Sequence, residues 1–255
     1  MLVAPYPKSF ADFLGSIRIK YGTDPYPESY IPLIARKATS YYTCQRFLPD
    51  RIDQFIELGG AVAFAISEPE WKNSPANLKS ELIHLGDGNY TARIVKGFVL
   101  QGEAAIFVLK CGREFAFLWL DRAEYQAHQM MLDRADSVFQ MSETEKCVHY
   151  KLDFTAKLVK PDFRPIRKRE MLLHARDILY REQVAYAVLA ACEAKKHGAM
   201  SSIESKLDHL VSIVDEAPSA DALTIAKEIL AQSMPHILSG ETAHPFWKWL
   251  SRFAG

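Results

Sequence analysis

Glu170 and His174 stand four residues apart. On a helix that spacing puts a carboxylate and an imidazole on one face, near enough to pair or to share a metal ion. A hydrogen bond at the surface is the commoner use of such a pair. Glu81 and His84 are three apart, but Ser80-Glu81-Leu82-Ile83-His84-Leu85 reads as a strand, where residues i and i+3 point to opposite faces. The other histidines form no cluster, so no metal is expected. Ser67-Glu68-Pro69 closes an apolar run and is either a ligand contact at a strand end or a plain strand exit into a turn. Lys96 reads as a solvated strand residue rather than a brace. Gly86-Asp87-Gly88 reads as a hairpin turn, not a phosphate loop. No Gly-x-Ser-x-Gly or Walker-type pattern is present.

The elements that must position these residues fall into two kinds. From Gly60 to Asp121, short apolar or alternating runs are separated by Gly and Asp-Gly turns, which predicts consecutive β-strands. Ala104 to Leu109 and Phe115 to Leu120 are apolar without alternation, so both of their faces should be covered. Gly97 marks a bulge or a close approach. Val148 to Val159 alternates as a half-exposed strand, and residues 122–136 read as a short helix or a crossover.

Helices are expected on either side. Ser9 and Asp12 form a capping box ahead of Phe10, Phe13, Leu14 and Ile17, and Gly22 ends that helix. Pro25, Pro27 and Pro32 predict an irregular link, followed by a helix over residues 34–47 that stops at Pro49. Pro161 and Pro165 punctuate the switch to a long helix over 167–197, with Leu172, Ala175, Ile178, Leu179, Tyr186 and Leu189 inward and Gly198 just past its end. Ser201 and Glu204 make a second capping box. A further helix over 220–234 should stop at Pro235.

Composition sets limits on partners. Lys and Arg number 31, Asp and Glu 31, so the formal net charge is zero, unlike the basic excess of a nucleic-acid binder. No apolar run approaches ~18 residues, so no membrane span is expected, and no secretory signal is read at the N-terminus. Cys44, Cys111, Cys147 and Cys192 are scattered, which suits reduced thiols in the cytoplasm.

The middle block resembles the β-domain of the acyl-CoA dehydrogenases. That family carries an apolar strand ending Thr/Ser-Glu-Pro, a loop with Gly-Ser-Asp, a strand with Thr, then Gly-Asp and a Lys-x-Trp/Phe-Ile-Thr-x-Gly run. Phe64-Ala65-Ile66-Ser67-Glu68-Pro69, Ser80, Gly86-Asp87 and Lys96-Gly97-Phe98-Val99-Leu100-Gln101-Gly102 match these in turn, over roughly residues 60–200. The resemblance implies an α+β fold: a shortened helical region over 1–59, a small β-barrel over 60–162 and a C-terminal helical bundle over 163–255. It implies FAD as cofactor and an acyl thioester as ligand, with Phe64, Ile66 and Ser67 against the flavin and Phe98 on its other side. The departures are as informative. Leu100 replaces the hydroxyl expected near flavin N5, and Lys72-Asn73-Ser74 replaces Gly-Ser-Asp. Glu241, in Ser239-Gly240-Glu241, is the one candidate for the catalytic base. The expectation is a non-catalytic acyl-binding or partner subunit. The alternatives are an FAD-dependent oxidoreductase of acyl thioesters and an α+β interaction module. Trp247, Trp249 and Phe253 near the end of a shortened bundle predict a homo-oligomer, or a hetero-oligomer with a related subunit.

Overall fold

Asp87 and Gly88 hold positive φ angles of 51° and 74°, the geometry of a two-residue hairpin turn that Asp-Gly favours. They join β2 (Glu81–Gly86) to β3 (Asn89–Leu100), the hairpin on which the sheet is built. A computed structural model describes residues 9–21, 30–68, 77–100, 102–121, 123–125, 134–135, 149–198, 201–214, 219–239 and 245–251. The chain divides into two compact units: residues 39–175, which carry the sheet, and residues 1–38 with 176–255.

The other strands of the first unit are β1 (Val62–Ala65), β4 (Ala104–Cys111), β5 (Glu114–Leu120), β6 (Arg134–Ala135), β7 (His149–Val159) and β8 (Phe163–Ile166). Their order is β6-β7-β3-β2-β4-β5-β8, with β1 lying parallel to β4. As the uniform apolarity of β4 and β5 predicts, both strands are buried on both faces. One face joins Ala63, Leu82, Ile94, Val99, Leu118 and Leu152 in the core. The other brings the ring of Phe117 to 4.8 Å from Phe47 and 6.3 Å from Phe64.

The closed barrel expected from the resemblance is not formed. The sheet is open: among the described residues no ladder joins β6 or β7 to β8. It is nevertheless strongly coiled. Tyr90 of β3 meets Phe163 of β8 at 5.2 Å, and Phe107 of β4 meets Phe154 of β7 at 6.5 Å, though neither pair is adjacent in the strand order. The seam has a local cause. β8, not anticipated from the sequence, is only four residues long, and Pro165 within it has no N–H to donate. A proline on a short edge strand blocks further pairing.

A helical run precedes the sheet in sequence, beginning in residues 1–38 and continuing into the sheet-bearing unit. A helical run starts at Tyr30, ahead of Pro32, earlier than expected: α2 (Tyr30–Ala35), a π-helical segment (Arg36–Tyr41) and α3 (Tyr42–Phe47) are continuous. Pro32 falls in the first turn, where its missing N–H has no carbonyl to meet. A 3₁₀ turn (Pro49–Arg51) leads into α4 (Ile52–Glu57).

The second unit is helical. The Ser9 capping box is present: Asp12 N–H donates to Ser9 Oγ at 3.0 Å and Ser9 N–H to Asp12 Oδ2 at 3.4 Å, opening α1 (Phe10–Tyr21). The long helix α5 (Lys168–Lys196) begins in the first unit and continues into the second, and Gly198 holds φ 79° beyond it. α6 (Ser201–Ile213), α7 (Ala220–Leu238) and α8 (Pro245–Leu250) follow. Two expectations are corrected. α7 runs through Pro235, because Ser239 N–H still finds Pro235 O at 3.1 Å and the turn beyond buries Ile237. On α5, Leu172 and Leu179 are 48% and 57% exposed, while His174, Asp177 and Arg181 are buried. Partners distant in sequence explain part of that inversion: Arg181 lies over the Phe10 ring at 4.9 Å. Glu204 pairs with Lys195 at 2.7 Å, and the Ser201 side chain lies outside the described residues. Among the described residues no helix is long and apolar enough to cross a membrane.

Candidate functional site

β1 pairs with β4 only as far as Phe107, and β2 meets β4 only at Lys110. The carbonyl of Val108 between them therefore faces a gap in the ladder. Lys96, on β3, fills it. Its Nζ donates to Val108 O at 2.7 Å, to Ile66 O at 3.4 Å and to Glu68 Oε1 at 3.0 Å. The Lys96 side chain is 0% exposed and that of Glu68 1%. A buried ammonium is tolerated only when its three hydrogens find acceptors, and here each does. Lys96 is thus a buried brace and not the solvated residue expected from its charge.

Glu68 is held as firmly. Its Oε1 accepts from Ser80 N–H at 3.0 Å, and Oε2 from Lys79 N–H. Ser80 Oγ bridges on to β3, donating to Val95 O at 3.0 Å and accepting from Val95 N–H at 2.9 Å. Burial raises the Glu68 pKa, but Lys96, Ser80 and the two amides outweigh it and hold the carboxyl below its ordinary value. Burial brings Lys96 down to about 8, with Glu68 opposing.

These shifts predict a pH profile. A carboxyl held low in the fold stabilises above its unfolded value and loses that contribution as pH falls through the folded one. Stability should therefore decline below about pH 4.5, as Glu68 is protonated and Lys96 is left uncompensated. Lys96 acts in the same sense at high pH: the unfolded chain binds more protons between about 8 and 10.5, so this group adds stability as pH rises there. Urea midpoints from pH 3 to 9 check both limbs.

The pair fixes the rim on which the predicted ligand contacts stand. Phe64 lies half-buried in β1 opposite Ile106. Ile66 and Ser67 follow it, half-buried, beyond the strand. Ser67 O accepts from Gly97 N–H at 2.9 Å, at the register shift between Lys96 and Val99 that realises the bulge expected at Gly97. Ser67 is thereby brought beside the β3 backbone next to Phe98, whose side chain lies outside the described residues. Glu241 lies outside them too.

Glu170 and His174 do not pair. Glu170 Oε2 accepts from Arg167 N–H at 3.0 Å at the start of α5. His174 is buried, with Nε2 2.7 Å from Thr43 Oγ1, and its ring sits among Tyr42, Phe47 and Phe117 at 4.8–5.4 Å. It is a core histidine, so the surface reading of that spacing is corrected. Among the described residues no three His, Cys, Asp or Glu side chains gather as metal ligands.

Solved structures resemble this architecture at low identity. A glutaryl-CoA dehydrogenase of Mycobacterium smegmatis in complex with FADH2 superposes with TM-score 0.57 at 9% identity, covering 79% of this chain and 61% of that one. The likeness is one of fold alone. Butyryl-CoA dehydrogenase of Megasphaera elsdenii gives TM-score 0.57 at 14% identity, over 82% of this chain and 64% of that one. The electron transferring flavoprotein of Acidaminococcus fermentans gives 0.61 at 11%, over 88% and 72%. This chain spans less than two thirds of the length of both dehydrogenases. No protein-family model matches it, and no curated protein does.

Proposed function

We propose that this chain is an acyl-CoA dehydrogenase-like protein that binds an acyl thioester, or serves as the partner of a related subunit, without carrying out flavin chemistry itself. The observation that carries the reading is the state of the rim. The Ile66 and Ser67 carbonyls are turned inward to Lys96 and Gly97, and Glu68 is sealed against Lys96. The Ser67 hydroxyl makes no hydrogen bond to another described residue, so it is the one polar side-chain group of the strand end that the brace does not use. Leu100 offers no hydroxyl where the family resemblance calls for one. A cofactor of this kind supplies the redox step, and the protein's part is to orient and tune it. Here the tuning contact is missing while the scaffold beneath it is intact.

Absorbance and calorimetry test this reading. The purified chain is expected to be colourless near ~450 nm, to stay so with added FAD, and to give saturable heat with an acyl-CoA. A yellow protein bleached by an acyl thioester would overturn it in favour of the FAD-dependent oxidoreductase. Binding of neither ligand would remove the acyl-thioester reading and leave the partner subunit and the interaction module.

A further inference from the structure

Two exposed strips of opposite charge set out from one place in the sheet-bearing unit, where Asp50 and Arg164 line the same cavity. From Asp50 the first strip runs into α4. Asp53, Ile56 and Glu57 are exposed there and, at spacings of three and four, share one helical face. From Arg164 the second runs through Arg167 into the start of α5, where Lys168, Arg169, Leu172 and Leu173 are exposed.

Neither strip is neutralised within the chain. Asp50, Asp53 and Glu57 make no ion pair with another described residue, and nor do Arg164, Arg167, Lys168 and Arg169. Arg51 and Asp162, beside them in sequence, pair with each other. Glu170 is the one carboxylate of the second strip, and its Oε2 accepts from Arg167 N–H. Four cations less Glu170 leave an excess of three positive charges, against the three carboxylates of the first strip. Several of these charges work against the fold. Lys168 and Arg169 occupy the first turn of α5 and Glu57 the last turn of α4, each opposite in sign to what the helix dipole favours. Ile56 is 44% exposed, Leu172 48% and Leu173 38%, so each strip sets apolar surface among its charges.

We propose that the two strips are the two halves of an interface between copies of this chain. Asp50, Asp53 and Glu57 of one copy meet Arg164, Arg167, Lys168 and Arg169 of the other, with Ile56 against Leu172 and Leu173. The occupant is a second copy because one chain carries both halves in equal charge. An acidic partner of another kind would cover the second strip and leave the first bare. A two-fold axis matches both at once, so each contact occurs twice. Exposed ion pairs contribute little singly, so the association is weak and falls with salt. None of these residues belongs to the Ser67 rim or to the Trp247 segment, and the assignment is independent of the acyl-thioester reading above.

Sedimentation velocity on the full chain, over a range of concentrations at low salt, tests it. A dimer is expected that grows with concentration and dissociates at about 0.5 M salt, where screening is strong. Reversing the second strip with Arg167→Glu, Lys168→Glu and Arg169→Glu should weaken dimerisation about tenfold or more, and so should Asp53→Lys with Glu57→Lys. Glutamate suits the first turn of a helix, so the first set does not strain α5. A mixture of the two variant proteins should dimerise again, because the two reversed strips attract each other and so do the two unreversed ones. Misfolding cannot imitate that recovery. A parent that stays monomeric at every concentration, dimerisation unchanged by both sets, or a mixture that fails to recover overturns the assignment.

Discussion

Lys96→Met is expected to destabilise the fold by about 3–5 kcal/mol at pH 7, the usual cost of removing one partner of a buried ion pair. The cause is what stays behind: a Glu68 carboxylate 1% exposed, with two backbone amides for company and no cation. Val108 O loses its partner at the gap between β1 and β2 as well. Glu68→Gln should cost a similar amount by leaving the ammonium buried. The two variants should then respond to pH in opposite senses. In Lys96→Met the carboxyl pKa rises, so the deficit relative to the parent shrinks as the pH is lowered towards 5. In Glu68→Gln the Lys96 pKa falls further below its present value of about 8, so the deficit shrinks as the pH is raised. The double variant should cost clearly less than the sum, because no charge is left unpaired. Urea unfolding of the three variants at pH 5, 7 and 9 reads all of this. Additive losses with parallel pH profiles would mean that the pair is not coupled.

The brace was legible in part. Ala92, Ile94 and Lys96 share strand parity, and the first two are core residues, so parity alone aims Lys96 inward. Charge argued the other way, and what decides between them is an acceptor set assembled from Ile66, Glu68 and Val108, which no local window contains. The strands between Val62 and Leu120 could be read because turn chemistry punctuates them: Asp87-Gly88 and Gly112 hold the positive φ angles their residue types favour. Those signals are local. β8 escaped notice because Phe163-Arg164-Pro165-Ile166 has no strand pattern of its own and pairs only because β5 offers it an edge. The inward face of α5 is legible only in part, for the same reason: Ile178 and Leu189 are buried as their spacing predicts. Apolar spacing chose Leu172 and Leu179, whereas His174 and Arg181 are buried by a threonine and a phenylalanine more than a hundred residues away. Openness of the sheet was equally invisible, since it depends on whether two distant edges find each other. The bulge at Gly97 was legible, but its bond to Ser67 was not, because that contact joins two segments that no local window contains.

Gly102→Ala is expected to cost about 3 kcal/mol or more, at or beyond the usual upper end for overpacking. A Cβ at this position would lie 2.8 Å from Ala63 N, 2.9 Å from Ala104 O and 3.0 Å from Ala61 O. All three are backbone atoms, so no side chain can swing aside. They belong to the chain entering and forming β1 and to the start of β4, whose register begins at Val62 opposite Ala104. Relief requires the two strands to part at their first pair, where Glu103 N–H donates to Ala61 O at 2.6 Å. Gly112→Ala is the control. Gly112 has open space around its Cα and only a φ of 60° to defend, so its alanine should cost roughly 1–2 kcal/mol. Chemical denaturation gives the two losses, and amide exchange locates them. Displacing β1 moves the chain that delivers Ile66 O and Glu68 to Lys96, so Gly102→Ala should also speed exchange at Gly97, whose N–H is bonded to Ser67 O. Gly112→Ala should leave Gly97 protected, because the β4–β5 turn carries no bond to the rim. Equal losses in the two variants, with Gly97 unaffected in both, would mean that the strand entry and the buried pair are not mechanically joined.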